Sequence, residues 1–312
     1  MKRWEGVIDG YMRRLEARGL ASATINMRHR EVTRFGSWIN RKKPRPHIED
    51  IGSDQILEYI KWCSAFKSKV TVYGIVSRMR DIGEYLLSEG IWLKNPLRWI
   101  QGPRVDFMRK IPRRIGKGQH VLIWEEVARL PNEYDRALWI LLLSLLYGIG
   151  IRRGELERLE LRNWDPETGL LTIDGRKTGR ERRVPLPDIA CQAMEHYLPL
   201  RQNRLLLYNR NDEKMLLINR HGNPMCGVHI STRIKKITKK AGISPVTMHQ
   251  FRHSCASDLL EEGIGLCHVQ QILGHAVITS TFRYTHVSDP ARKEAMRLHP
   301  INRMLSCEGG SR

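Results

Sequence analysis

The tightest constraint in this 312-residue sequence is its longest apolar segment, ALWILLLSLLY, at residues 137–147. A helix that is apolar on every face has to be enclosed by other elements. Crossing a bilayer takes roughly 20 such residues, so this segment reads as the central helix of a folded domain. The opening MKRWEGVIDGYMRRL is charged throughout and carries no secretory signal. The chain is long enough for two domains, each with its own core.

The first hundred residues read as four amphipathic helices. Trp4, Ile8, Tyr11 and Leu15 recur at helical spacing, followed by a stripe of Ile25, Val32, Phe35 and Ile39 with Ser22 as N-cap. Arg28, Arg30 and Arg34 lie largely off that stripe, free to face a phosphate backbone. A third helix is expected from about Ser53 to Phe66, and a fourth from about Lys69 to Glu89, closed by Gly90 and by Asn95-Pro96. The periodicity breaks at residues 101–119, where two prolines, three glycines and six basic residues face one acid. This reads as a basic linker between a helical domain at 1–100 and a second domain at 120–312.

The second domain is expected to begin near His120, with a helix from about Trp124 leading into the buried helix at Asp135–Tyr147 and the turn Gly148-Ile149-Gly150. The segments GLLTI (169–173) and ERRVPL (181–186), joined through DGRKTGR, read as a β-hairpin with a basic tip. Further helices are expected at about 188–198, 227–241, 247–262 and 266–273. The fold class is therefore mainly α with a small β-sheet.

Charge narrows the partner. Lys and Arg number 53 against 33 acids, a formal charge of +20. Such an excess favours a polyanion, because each neutralised phosphate releases condensed counterions. The six cysteines are scattered without a C-x-x-C pair, as in a reduced, cytosolic chain. No phosphate-binding G-x-x-x-x-G-K-[ST] loop and no cluster of carboxylates suited to a two-metal site occurs.

Three short segments carry chemistry. In TMHQFRHS (247–254), Thr247 and Gln250 form a capping box that starts a helix. His249 and Arg252 then share one face at its positive end, where an anion is favoured. His249 and His253 stand at i, i+4, but no H-E-x-x-H pattern completes a zinc site. In QQILGHAVITSTFRYTHV (270–287), Gly274 suits the left-handed end of a helix, placing His275 in the turn after it. Tyr284 follows nine residues later among polar neighbours, with no apolar stripe to join. In YGIGIRRGELERLEL (147–161), Arg152 follows a glycine turn and opens a helix, with Glu155 one turn on to buttress a guanidinium or imidazole. Each motif alone is weak.

Taken together and in this order, they resemble the tyrosine recombinase family, also called phage integrases, and look closest to Xer-type and transposon-borne members. GIRRGEL matches the family's first arginine box and assigns Arg152 and the acid Glu155; HQFRHS assigns His249 and Arg252; LGHAVITSTFRYTHV assigns His275 and the nucleophile Tyr284. RKTG at 176–179 matches the catalytic lysine of the family's hairpin, giving Lys177, and RVPLP looks like the strand that follows. Arg153-Gly154 departs from the family's usual apolar-then-small pair. The N-terminal helices resemble the family's SAM-like core-binding domain, ahead of a C-terminal α+β catalytic domain.

The resemblance implies that Arg152, Arg252 and His275 stabilise the scissile phosphate, that His249 helps Tyr284 to ionise, and that Lys177 protonates the departing 5′-oxygen. It implies no cofactor and no metal. The implied partner is a double-stranded DNA recombination site, bound by a homo-tetramer in the cytoplasm at the nucleoid, with no membrane role. Arg28, Arg30, Arg34, Arg113 and Arg114 are the expected DNA contacts, and Met304 and Leu305 in the tail are candidates to dock on a neighbouring protomer. The rival readings are a type IB topoisomerase-like relaxing enzyme, in which lysine usually replaces the histidine of H-x-x-R, and a catalytically idle DNA-binding relative.

Charge and motif together make a first prediction: DNA binding proceeds unchanged in EDTA and without nucleotide, and log affinity falls with log salt at about −0.9 per neutralised phosphate. Cleavage that disappears in EDTA would contradict this chemistry.

Overall fold

A computed structural model of the chain describes residues 4–105, 114–175, 181–210 and 213–274. The chain forms two compact units, residues 1–110 and 111–312. In the first, α1 (Trp4–Ala17), α2 (Ser22–Ile39), α3 (Ser53–Ser64) and α4 (Lys69–Ser88) close around one aromatic-rich core. Phe35 packs edge-on against both Trp4 (5.6 Å between ring centroids) and Tyr59 (5.0 Å). The Trp4 indole lies over Gly36, where a Cβ would collide with it. Ser22 does not cap α2 as expected: Ala21 holds the N-cap position and the serine is the first helical residue. The helix nevertheless forms, because its buried stripe of Val32, Phe35 and Ile39 fixes it from below.

Two polar nodes stitch these helices together. Glu31, almost fully buried, accepts from the Tyr59 hydroxyl (2.8 Å) and pairs with Arg34 (3.3 Å) and Arg78 (3.2 Å). Arg28 pairs with Asp81 on α4 and donates to the Tyr11 hydroxyl (2.9 Å), which itself donates to Asp81 (2.6 Å). Of the three arginines expected to face DNA, Arg28 thus holds α2 to α4, Arg34 pairs with Glu31 of its own helix, and Arg30 is exposed.

The second unit comprises α5 (Lys117–Ala128), α6 (Glu133–Gly148), the single turn α7 (Arg153–Leu156), strands β1 (Trp164–Asp165), β2 (Leu170–Ile173) and β3 (Arg182–Pro185), then α8 (Asp188–Leu207), α9 (Gly227–Lys240), α10 (Met248–Glu261) and α11 (Leu266–Leu273). The apolar run is α6, and α5, α8 and α10 pack around it. The strands form an antiparallel sheet in the order β1-β2-β3, with Leu171 opposite Val184 and Ile173 opposite Arg182. Leu171, Ile173 and Val184 point into the core.

Three boundaries differ from expectation. Helix α5 begins at Lys117, and its buried face is His120, Ile123 and Val127. The histidine disguises that stripe in the sequence; its ring is buried on Tyr147, 4.0 Å between centroids. Residues 114–119 therefore pack within the second unit and are not linker: Ile115 is buried, its N–H donating to Ser254 Oγ (2.9 Å), and Arg114 pairs with Asp258 and Glu261 on α10. Helix α8 runs through Pro199 to Leu207, past the break expected at residue 198. The proline removes one helical N–H, and burial of Tyr197, Arg201 and Leu205 carries the helix across.

Arg201 is among the largest fully buried side chains, and it donates to the carbonyls of Leu216 (3.0 Å), Glu213 (2.7 Å) and Met215 (2.6 Å). It thereby pins the segment after α8. Arg201→Ala is expected to lower unfolding free energy by about 3 kcal/mol, with Arg201→Lys restoring less than half, in urea denaturation. A lysine variant as stable as the parent would show that the fork geometry is immaterial.

Candidate active site

The site is built on the negative end of α11. Backbone acceptors at a helix C-terminus lack helical donors and concentrate negative partial charge. Here three consecutive carbonyls each accept from a different arginine: Ile272 from Arg182 Nε (3.1 Å), Leu273 from Arg252 Nη2 (2.7 Å) and Gly274 from Arg152 Nη2 (2.6 Å). The three arginines come from β3, α10 and the N-cap of α7, so elements far apart in sequence meet at one turn.

Each arginine is also anchored on its other side. Arg252, only 4% exposed, donates through Nη1 to the carbonyl of Gly150 (2.6 Å). Gly150 has φ +57, and a Cβ there would crowd Leu273 and lie 3.3 Å from Arg252 Cγ and 3.5 Å from Cys255 Sγ. Only glycine fits both the left-handed backbone and the close approach. Helix α10, which carries Arg252, begins at the expected capping box: Thr247 Oγ1 accepts from the Gln250 N–H (3.3 Å) and Gln250 Oε1 from the Thr247 N–H (2.9 Å).

Glu155 is the counter-ion of the cluster. It accepts from Arg152 through both the backbone N–H (3.0 Å) and Nη1 (2.7 Å), and from Arg182 Nη1 (3.0 Å) and Nη2 (2.9 Å). Burial alone would push this carboxyl up, but the Arg182 hydrogen bonds, then the Arg152 backbone bond and the charges nearby, outweigh it and hold the pKa at about 2.

Above this floor lies an open cleft of about 290 Å³, lined among others by Arg152, Arg153, Arg158, His249 and Arg252, with Glu155 the acid in its wall. His249 is exposed at the first turn of α10, its ring 4.1 Å from that of His253. The cleft is thus positively charged and offers both guanidinium and imidazole donors to an anion. Among the described residues no group of three His, Cys, Asp or Glu side chains could hold a metal, and no helix is long and apolar enough to cross a membrane.

Of the residues singled out in the sequence, Arg152, Glu155, His249 and Arg252 come together here. Lys177, His275, Tyr284 and Arg113 lie outside the described residues, as do Met304 and Leu305. Gly274, immediately before His275, has the left-handed backbone anticipated for it (φ +65). Arg182 was not singled out. Its signal is in ERRVPL: alternation places Arg182 and Val184 on the inner face of the strand, and an arginine on an inner face requires a buried partner.

A cluster of arginines anchored beneath an open basic cleft, on a mainly helical unit with a small sheet, is a candidate site for an anion such as phosphate. The phage integrase family matches residues 121–290. The tyrosine recombinase XerD of Staphylococcus saprophyticus is 31% identical over 302 residues, covering 94% of this chain and 98% of that protein. The XerD of Staphylococcus aureus strain Mu50 is 30% identical, covering 95% and 99%. The chain belongs to the phage integrase family of tyrosine recombinases. Solved structures share the fold: XerH recombinase bound to a palindromic difH substrate (TM-score 0.72, 19% identity, 90% of this chain and 81% of that one) and the Tn1549 transposon integrase with transposon right-end DNA (0.70, 18%, 93% and 98%).

The charge state of Glu155 has a measurable consequence. Its pKa is depressed from an ordinary 4.5 to about 2, so its contribution to stability is fully present above pH 4.5 and is lost as pH falls through about 2. The Tm gap between wild type and Glu155→Gln is therefore expected to be widest above pH 4.5 and to close towards pH 2. A gap that stays constant from pH 5 to about 3 would show that the ionised carboxylate is not what stabilises this corner.

Proposed function

We propose that this chain is a site-specific DNA recombinase that cuts and rejoins strands through a 3′-phosphotyrosyl bond on Tyr284. The observation that carries this reading is the set of arginines anchored on the end of α11, one residue before His275 and ten before Tyr284 in the chain. Their placement ties the phosphate-binding cleft to the segment that bears the nucleophile.

In this mechanism Arg152 and Arg252 bind the non-bridging oxygens of the scissile phosphate and stabilise the charge that gathers on them in the transition state. His275 adds a third donor. Anchoring to main-chain carbonyls holds both guanidiniums in place before substrate arrives, so little reorganisation is needed as the charge develops. The Tyr284 oxygen attacks phosphorus, its proton passing to His249, because a phenol that titrates near pH 10 needs a base beside it. The bond to the 5′-oxygen breaks and Lys177 supplies the proton to that oxygen. One phosphodiester replaces another, so the bond energy is retained, and attack by a 5′-hydroxyl of another strand reverses the steps.

Four protomers on two DNA sites exchange strands in pairs through a Holliday junction in this reading, within the cytoplasm at the nucleoid. XerH and the Tn1549 integrase were solved on DNA sites, which supports duplex DNA as the partner here. The helical unit at the N-terminus acts as the core-binding domain, with the exposed Arg30 as its phosphate contact.

The test is a suicide duplex, nicked beside the cleavage point and carrying the sequence that the full chain selects from random DNA. Wild type is expected to form a covalent adduct mapping to Tyr284, and Tyr284→Phe to form none while binding DNA within about threefold of wild type. An undiminished adduct in the Phe variant would remove the claim.

A further inference from the structure

Arg182 lies in no motif assigned a catalytic task, yet it joins β3 to Glu155 of α7 and to the end of α11. Its backbone is in β3, five residues after Lys177, and its side chain is 11% exposed. All three guanidinium nitrogens donate within the protein: Nη1 and Nη2 fork onto Glu155 (3.0 and 2.9 Å), and Nε reaches the Ile272 carbonyl (3.1 Å). We propose that Arg182 is a positioning residue for strand cleavage, holding the Arg152 guanidinium, through Glu155 and the end of α11, in the orientation that meets the scissile phosphate. This rests on the reading of Arg152 as a phosphate clamp.

Arg182 and Arg152 compete as donors to the same carboxylate. A lone guanidinium beside a carboxylate tends to close on it with two parallel hydrogen bonds. Arg182 occupies that fork. Arg152 consequently gives Glu155 only Nη1 from its side chain, and keeps Nη2 on Gly274 (2.7 and 2.6 Å). Two of its five N–H groups are engaged in these bonds, and three are left for an anion in the cleft. Without Arg182, each oxygen of Glu155 loses one donor and faces Arg152 alone, and the pull of the carboxylate turns Nη2 away from Gly274 and a second donor away from phosphate. Charge acts in the same direction, since Arg182 neutralises the acid and leaves the positive charge of Arg152 to the substrate.

Gly274 is fitted to this arrangement. Besides its left-handed φ of +65, a Cβ there would lie 2.6–2.8 Å from the Arg182 guanidinium, so the helix end and the arginine can approach only because the side chain is missing. Lysine cannot take the place of Arg182: its ammonium is a single point of charge, unable to fork onto both carboxylate oxygens and reach the Ile272 carbonyl as well.

The experiment uses the full chain and the nicked suicide duplex described above, under single-turnover conditions. Arg182→Lys and Arg182→Gln are each expected to slow adduct formation by about 30-fold or more, with DNA affinity within about threefold of wild type. Adding either change to Glu155→Gln should alter the rate by less than about threefold, because residues that act as one unit are not additive. A role confined to stability would instead lower Tm and leave the rate effect the same in both backgrounds. Either Arg182 variant suffices, so one that fails to fold leaves the other to decide. A wild-type rate in Arg182→Lys, or a full 30-fold loss persisting in the Glu155→Gln background, would overturn the proposal. Failure of the underlying reading is separable: it is the absence of a Tyr284-linked adduct in wild type, before any change at Arg182 is made.

Discussion

Three guanidiniums gathered at one point repel each other, and the second unit depends on how that repulsion is offset. The end of α11 presents the carbonyls of Ile272, Leu273 and Gly274, one for each of Arg182, Arg252 and Arg152. Glu155 adds a full negative charge between two of them. A helix end by itself supplies about half an elementary charge, so helix and acid together neutralise only part of the cluster. The remainder is a fixed positive field beneath the cleft, pointed at the place an anion would take. Such a field is effective in catalysis because it exists before the reaction begins.

The rigidity of that field is a property of the core below it. Beyond its charged first turn, helix α6 is apolar and packed among α5, α8 and α10, which fixes its C-terminus. The turn that follows it supplies the Gly150 carbonyl that anchors Arg252, and Cys255, Ala256, Val269 and Leu273 pack α10 against α11 just behind the arginine. A close-packed interior transmits a displacement instead of absorbing it. The arginines, the glycine turn and the helix end therefore move together or not at all, and the exposed His249 stands on the same helix as Arg252.

The N-terminal unit uses the same chemistry for a structural purpose. Arg28 on Asp81 and Arg78 on Glu31 bind helices to one another instead of leaving their charge to solvent, and Arg34 braces Glu31 from within α2. The count of 53 basic residues consequently overstates how many cations are available to DNA, because part of that complement is committed inside each unit. Arg114 on Asp258 and Glu261 is a further case in the second unit.

By itself the sequence determined the helical character of both units, the hairpin, the burial of the 137–147 segment and the chemical identity of Arg152, Glu155, His249 and Arg252. These are local properties: periodicity, capping boxes and short motifs are written within one or two helical turns. It was silent where a residue's role is set by something distant in the chain. The stripe of α5 was hidden by His120, a polar letter that is buried only because Tyr147 lies against it. The continuation of α8 past Pro199 depended on what Arg201 grips beyond the helix. Arg28 and Arg114 looked like surface cations until their acids appeared across the fold. Tertiary structure alone decided that Arg182, 27 positions from Glu155 and 90 from Ile272, closes the arginine cluster, because a guanidinium's role is fixed by which acceptors surround it, and those arrive from other elements only when the chain has folded.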